Sequence, residues 1–382
     1  MPDSATFGVS SQTAISADID LELANLTFDT GASAYTISTV KDLAISIQGG
    51  IFNNSGIHQN FVIQLGNRGV NGSIEFDGSA TVDPNCIITC AAGATLYTGE
   101  LGFNENSNAG EGTYINEGCA VPGAYGAHTD FGEQASAGNA TFINNGGLSV
   151  QAAGGQVNFF YGSTAGNATF INNAGRAAQA YGGSTQLLGT DAGNATMIAN
   201  GADVADALGG RIIFFETTHA ANATLVANGG TNGGLGGTIS FGDVSYGDNA
   251  IIQVFGNGSL EDVTYHVAPL SIGSLEGDGI VKLSADHALN IGANGLSTTF
   301  SGSIQGSNSI VKIGSGTLTL GGANIYTGGT AVIAGALKIG NESGSATGTG
   351  TVNVRRNSRR QRNHRWRNDD WNRERHGSFS TA

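Results

Sequence analysis

Three groups of residues in this 382-residue chain are of types that can do chemistry. The first is Cys86, Cys90 and Cys119. Their C-x3-C spacing has neither the second pair nor the histidine that a zinc site needs, and the count is odd. Two readings stay open: a disulfide between Cys90 and Cys119, or thiols that simply serve as small buried apolar residues. The second group is His128, His219, His266 and His287, and the third is Asp203, Asp206 and Glu216 with Arg176 and Arg211. A polysaccharide lyase or glycosidase needs clustered carboxylates, often Ca²⁺, and commonly a basic residue as base. None of these groups recurs at equivalent positions, so no catalytic, cofactor or metal site is read from them, and solvated corner residues are the expectation.

The elements that must carry these residues are set by a repeat. AGNATFINNGG starts at Ala137, AGNATFINNAG at Ala165, AGNATMIANGA at Ala192 and AANATLVANGG at Ala220. The asparagine of N-A-T therefore falls at Asn139, Asn167, Asn194 and Asn222, with degenerate copies at Glu111 and Asn249, a beat of 27–28 residues. GGQVNFF, GGSTQLL, GGRIIFF and GGTISFG begin at Gly154, Gly182, Gly209 and Gly236 and keep the same beat. Each unit holds two short β-type runs between glycine-rich corners and leaves room for a third, weaker one. No helical period is present. Units of this length stack as coils of an all-β solenoid, a right-handed parallel β-helix, with like positions about 4.8 Å apart along its axis.

Stacking sorts the residues into columns. Phe142, Phe170, Met197 and Leu225 form one apolar column, and Ala140, Ala168, Ala195 and Ala223 share its inward face. Val157, Ile212 and Ile239, with Phe159, Phe214 and Phe241, form another; Thr185 and Leu187 stand there in the weaker copy. Asn145, Asn173, Asn200 and Asn228 make a polar column at the first corner, where asparagine tolerates a left-handed backbone and stacked amides can bond along the axis. The N-A-T triplets also read as glycosylation sequons, but their recurrence follows from the repeat itself.

Composition agrees. Charged residues are 12% of the chain, about half the usual share, while 39% are apolar and fall in short β-branched and aromatic runs, which argues against disorder. Residues 1–354 carry seven basic and twenty-seven acidic residues, a net of −20 that repels phosphate backbones and excludes nucleic acid as a partner of the body. The seven bases are Lys41, Arg68, Arg176, Arg211, Lys282, Lys312 and Lys338. Residues 355–382 hold nine of the sixteen basic residues. That segment reads either as a basic disordered arm or, with its arginines written as CGG or CGC, as an out-of-frame continuation of the repeat, the latter being the expectation. The opening MPDSATFGVSSQTA has no basic n-region or apolar h-region, so no signal peptide is read there.

From Gly314 the chain reads GSGTLTLGGANIYTGGTAVIAGALKIGN. Residues 314–340 resemble the autotransporter-associated β-strand repeat at Gly316, Thr317, Leu318, Leu320, Gly322, Asn324, Tyr326, Gly328, Thr330, Gly335, Leu337 and Gly340; Ile325 stands where the family usually has threonine. The resemblance implies a β-helical passenger region of a bacterial surface protein, secreted through the outer membrane, with a translocator β-barrel in an intact relative. The expected organisation is a β region and solenoid cap over 1–78, N-A-T coils over 79–265, and a continuation over 266–354 before the tail. The expected role is a non-catalytic structural or adhesive passenger, truncated before its barrel and meeting a host or environmental surface or polysaccharide. The alternative is a β-helical carbohydrate-active enzyme or polysaccharide-binding module, and no cofactor is expected.

Overall fold

The computed structural model describes residues 2–39, 42–64, 72–93, 98–262, 269–283 and 287–355. Lys41, Arg68, His266 and the tail 356–382 lie outside the described residues. Among the described residues all regular structure is β-strand, and no helix is long and apolar enough to cross a membrane. The strands form two long parallel sheets. One runs from Asp3–Phe7 through Gln156–Phe159 and Ser184–Leu188 to Ser303–Gly306; the other runs from Ala14–Ala17 through Thr141–Asn144 and Thr169–Asn172 to Val352–Val354. Through the middle of the chain the strands alternate between them, each pairing with the strand one coil before and one coil after; beyond Ser303–Gly306 the described strands all join the second sheet. This is a parallel β-helix. The third side is a column of single bridges linking Thr81, Asn108, Ser136, Thr164, Asp191, His219 and Tyr246.

Register follows the repeat. Thr141, Phe142, Ile143 and Asn144 pair with Thr169, Phe170, Ile171 and Asn172, and Gln156–Phe159 pairs with Ser184–Leu187 in the same manner. Strand after strand buries its second and fourth residues. Phe142, Phe170, Met197 and Leu225 are fully buried, as are the four alanines two positions earlier and Val157, Ile212 and Ile239.

The aromatic columns also meet each other. Phe103, Phe131 and Phe159 stack face to face at 4.6–4.7 Å, and Tyr114, Phe142 and Phe170 stack at 4.7 and 5.0 Å. Between the two columns the rings sit edge to face at 5.6 Å, as in Phe131 against Phe142 and Phe159 against Phe170. The spacing along each column equals the strand spacing, and the crossing is the favoured T-shaped geometry of aromatic pairs. The core is therefore narrow, one ring from each sheet per coil.

Corners tolerate no side chain at the paired glycines. A Cβ on Gly182 would stand 2.2 Å from the carbonyl oxygen of Gly209 in the next coil, and one on Gly183 would stand 2.2 Å from that of Asn144. The close approach of successive coils, rather than an unusual φ, selects glycine here.

The coil length is not uniform. Thr141 to Thr169 is 28 residues, but Thr238 pairs with Ser259, 21 on, and Leu318 with Leu337, 19 on. The reason is local. Eleven residues separate Asn144 from Gln156, whereas four separate Val254 from Ser259, so the long glycine-rich corner is replaced by a tight turn. The 27–28-residue period expected for the whole solenoid thus holds for its middle and shortens toward the C-terminal end.

Truncating a ring in this core removes its partners above, below and across. Phe142→Ala is expected to lower unfolding free energy in urea by about 3–5 kcal/mol, while Ile143→Thr on the outward face of the same strand changes it by less than about 0.5 kcal/mol. Equal effects at the two positions would contradict the assigned facing.

Candidate functional site

Coil stacking aligns identical amides into three ladders. The first is exposed: Asn167 donates to Asn139 at 3.1 Å, Asn194 to Asn167 at 3.0 Å, Asn222 to Asn194 at 3.3 Å and Asn249 to Asn222 at 3.3 Å. Each of its asparagines follows a corner residue; at Gly166 that residue has φ +60°, which suits glycine. The second ladder runs from Asn228 through Asn200 and Asn173 to Asn145, at 2.9–3.0 Å, and ends on the carboxylate of Glu117. None of these four asparagines has a positive φ; Gln151, Gln179, Asp206 and Asn232, farther along the corner, take the left-handed conformation instead.

The third ladder is buried and had no counterpart in the columns read from the sequence. Asn116 donates to Asn144 at 2.9 Å and Asn144 to Asn172 at 2.8 Å, while Thr129 and Thr185 donate to Asn116 and Asn172. The signal was present in the TYIN and TFIN strands, whose last residue lies on the inward alternation. The ladder stops where Ala199 replaces asparagine opposite Asn172, and the Asn172 Nδ2 is left buried without a partner. Ala199→Asn is expected to supply the missing acceptor and stabilise the fold by about 1 kcal/mol; a loss of stability in thermal unfolding would show that the interior cannot extend the ladder.

Two grooves flank the exposed ladder. One, of about 620 Å³, is lined by Asp83, Asn108, Glu111, Ser136, Asn139 and Asn167. The other, of about 420 Å³, is lined by Asn222, Asn249, Asn294 and Leu296 among others.

The C-terminal motif forms its own set of inter-coil ties. Thr317–Leu320 is a strand with Leu318 and Leu320 buried, and Leu337, on the paired strand Ala336–Ile339, packs against them. Asn324 is buried and spans three coils, accepting from the backbone N–H of Ile304 at 2.7 Å and donating to the carbonyl of Ala346 at 2.6 Å. Tyr326 is wholly buried with its hydroxyl 2.5 Å from that of Thr330. Gly328 and Gly316 lie where a Cβ would strike the backbone of Asn308 and Leu296, and Gly335 has φ +67°. Ile325 is 60% exposed, so its side chain makes none of these ties. Lys312 is buried; its ammonium donates to the carbonyls of Ile313 and Gly314, and burial lowers its pKa.

The residues first considered for chemistry are dispersed. Arg176, Arg211, Asp203 and Asp206 are exposed. Asp206 lies on the long corner, and Glu216 on the opposite corner beside Tyr161. His219 pairs with Asp248 at 3.1 Å and stacks on Tyr246. His287 sits at a bend before Leu289–Ile291. The three cysteines are free and buried. The residue paired with Cys90 one coil on is Asn116, whereas Cys119 lies round the corner in a separate small cluster with Ala124 and Ala152, so no Cys90–Cys119 disulfide forms. Burial, with Asp83, pushes the Cys86 thiol up to about 12.

One titratable cluster does assemble, on the solvent face of the first sheet. Glu100 pairs with His128, and Asp130 lies two residues along the same strand. Glu75 is in register with Gly102, opposite Asp130. Burial, then Glu100 and Asp77, push the Glu75 carboxyl up to about 7. Burial also raises Asp130; for His128 burial opposes, but Glu100, Asp130 and Glu75 outweigh it and raise the imidazole. All three groups bind protons more tightly folded than unfolded, so their contribution to stability is greatest in mild acid and falls as pH rises through the window. In chelator-treated protein, Glu75→Gln is expected to flatten the fall between about pH 4.5 and 7 and to add about 2 kcal/mol above it. A variant profile parallel to that of the unmodified chain would contradict the assignment.

Residues 310–339 match the passenger-associated-transport-repeat family. A stretch of 86 residues, 22% of this chain, is 36% identical to the adhesin BmaC autotransporter of Brucella suis biovar 1 (strain 1330). It covers 2% of that protein's length, so the chain corresponds to a small part of the curated relative it matches. No solved structure gives a significant match. A transport repeat thus lies in the last coils of a parallel β-helix, and part of the chain is similar to an autotransporter adhesin; together these support an autotransporter-type passenger region.

Proposed function

We propose that the chain is a non-catalytic, adhesive part of a bacterial surface passenger, presenting a repetitive polar face to a polysaccharide or host surface. The observation that carries this reading is the exposed ladder from Asn139 to Asn249, which repeats one amide per coil between two grooves. A rigid array of donors and acceptors at constant spacing suits a ligand that is itself repetitive, because each added coil adds a contact without a new ordering cost. The acidic body sets the partner's chemistry as neutral or cationic, with no nucleic acid. In this reading the passenger is a segment of a longer protein, displayed at the outer membrane and carried there with a translocator β-barrel. The division into 1–78, 79–265 and 266–354 belongs to the same reading; the shortened coils from Thr238–Ser259 onward support a boundary in that region.

Adhesion tests it directly. Beads coated with the full chain are expected to be retained on a polysaccharide- or matrix-coated surface, and the pair Asn167→Leu with Asn194→Leu to reduce retention about tenfold with unchanged circular dichroism. Retention indifferent to the ladder, or release of soluble sugar products with time, would overturn the proposal in favour of another face or of an enzyme.

A further inference from the structure

We propose that Glu100, His128 and Asp130 bind one divalent transition-metal ion of the zinc class on the outer face of the first sheet. The strands Glu100–Phe103 and His128–Phe131 are adjacent and in register, which sets Glu100 against His128 and leaves Asp130 on the same face two residues on. One imidazole nitrogen and two carboxylate oxygens all lie within 4.8 Å of one another. His128 Nε2 is 3.7 Å from Glu100 Oε1 and 3.9 Å from Asp130 Oδ2. Both are ion-pair separations when the imidazole is protonated. They are close to the edge of about 3.4 Å between tetrahedral donors around zinc at bond lengths near 2.1 Å, so small rotations of the carboxylates suffice.

The imidazole distinguishes this group from an ordinary acidic patch. Its Nδ1 lies 3.1 Å from the hydroxyl of Thr98, which is 3% exposed. That contact directs Nε2 toward the two carboxylates, as an outer-shell partner does for a metal-binding histidine. The strand column is also shaped for it. Gly102 faces Asp130, and a Cβ there would stand 1.8 Å from Glu75 Oε2, so the Glu75 carboxyl occupies the space over the glycine beside the three donors. A mixed nitrogen and oxygen set favours zinc-like ions over Ca²⁺ or Mg²⁺, which prefer oxygen alone. Three protein donors leave one position for water or for a group on a bound partner.

Calorimetric titration of the chelator-treated full chain with Zn²⁺ tests the site, with Ca²⁺ and Mg²⁺ in parallel. Zn²⁺ is expected to bind more tightly than either. His128→Gln and Glu100→Gln should each weaken that binding by at least about tenfold, and Thr98→Val by about tenfold, while His219→Gln leaves it unchanged. His128 and Glu100 are partly exposed and Thr98 is buried, so circular dichroism checks that each variant keeps its β signal. If a variant does unfold, Co²⁺ titration of the unmodified chain gives the second reading: tetrahedral d–d absorption with a shifted His128 imidazole resonance supports the site. Zinc binding that survives His128→Gln, tighter binding of Ca²⁺, or a Co²⁺ spectrum that leaves the His128 resonance unmoved would overturn it.

Discussion

Everything in this molecule depends on the parallel hydrogen bond between one coil and the next. Thr169 N donates to Ala140 O, Asn173 N to Asn144 O and Tyr181 N, at the corner, to Ala152 O. Once that ladder is in register, each side chain lies directly over its counterpart about 4.8 Å away. A residue type that attracts its own kind is then rewarded at every coil. Phenylalanine stacks, asparagine donates to asparagine, and glycine allows the backbones to close at the corners. The same geometry penalises like charges in a column, which is consistent with a body that has few charged residues.

The ladder also divides labour between inside and outside. Apolar columns and the buried Asn116–Asn144–Asn172 amides hold the coils together, and the Asn324 clamp does the same work in the transport repeat. The outward positions are released from packing and can differ from coil to coil. His128 with its two carboxylates and the exposed asparagine ladder both occupy such positions. A rod built this way can therefore carry a repetitive polar face and a single local cluster without altering its core.

Much of this was legible in the sequence because stacking converts period into contact. The N-A-T and G-G beats located both sheets, and alternation within TFIN and QVNF identified the inward residues. What escaped was of two kinds. The shortened coils depend on a corner deletion between Val254 and Ser259 that leaves the strands themselves unchanged. The Glu100–His128–Asp130 group joins residues from two neighbouring coils at positions that carry other residue types elsewhere, so no column revealed it. The burial of Lys312 was not legible because it depends on backbone carbonyls converging on its ammonium, and that convergence is a property of the corner. Of the two readings of the cysteines, buried apolar thiols hold; a Cys90–Cys119 bridge does not, because the residue in register with Cys90 is Asn116, three residues before Cys119.

The central claim is that like positions lie above one another along a single axis. Pulsed electron–electron resonance between nitroxides at Thr113 and Ile251 measures this directly. The two positions are outward-facing in the second sheet and joined through Thr141, Thr169, Thr196 and Thr224, five coil steps in all. The stack predicts a narrow distance distribution centred at about 24 Å. A broad distribution, or a narrow one far from that value, would contradict the coil register on which the structure rests.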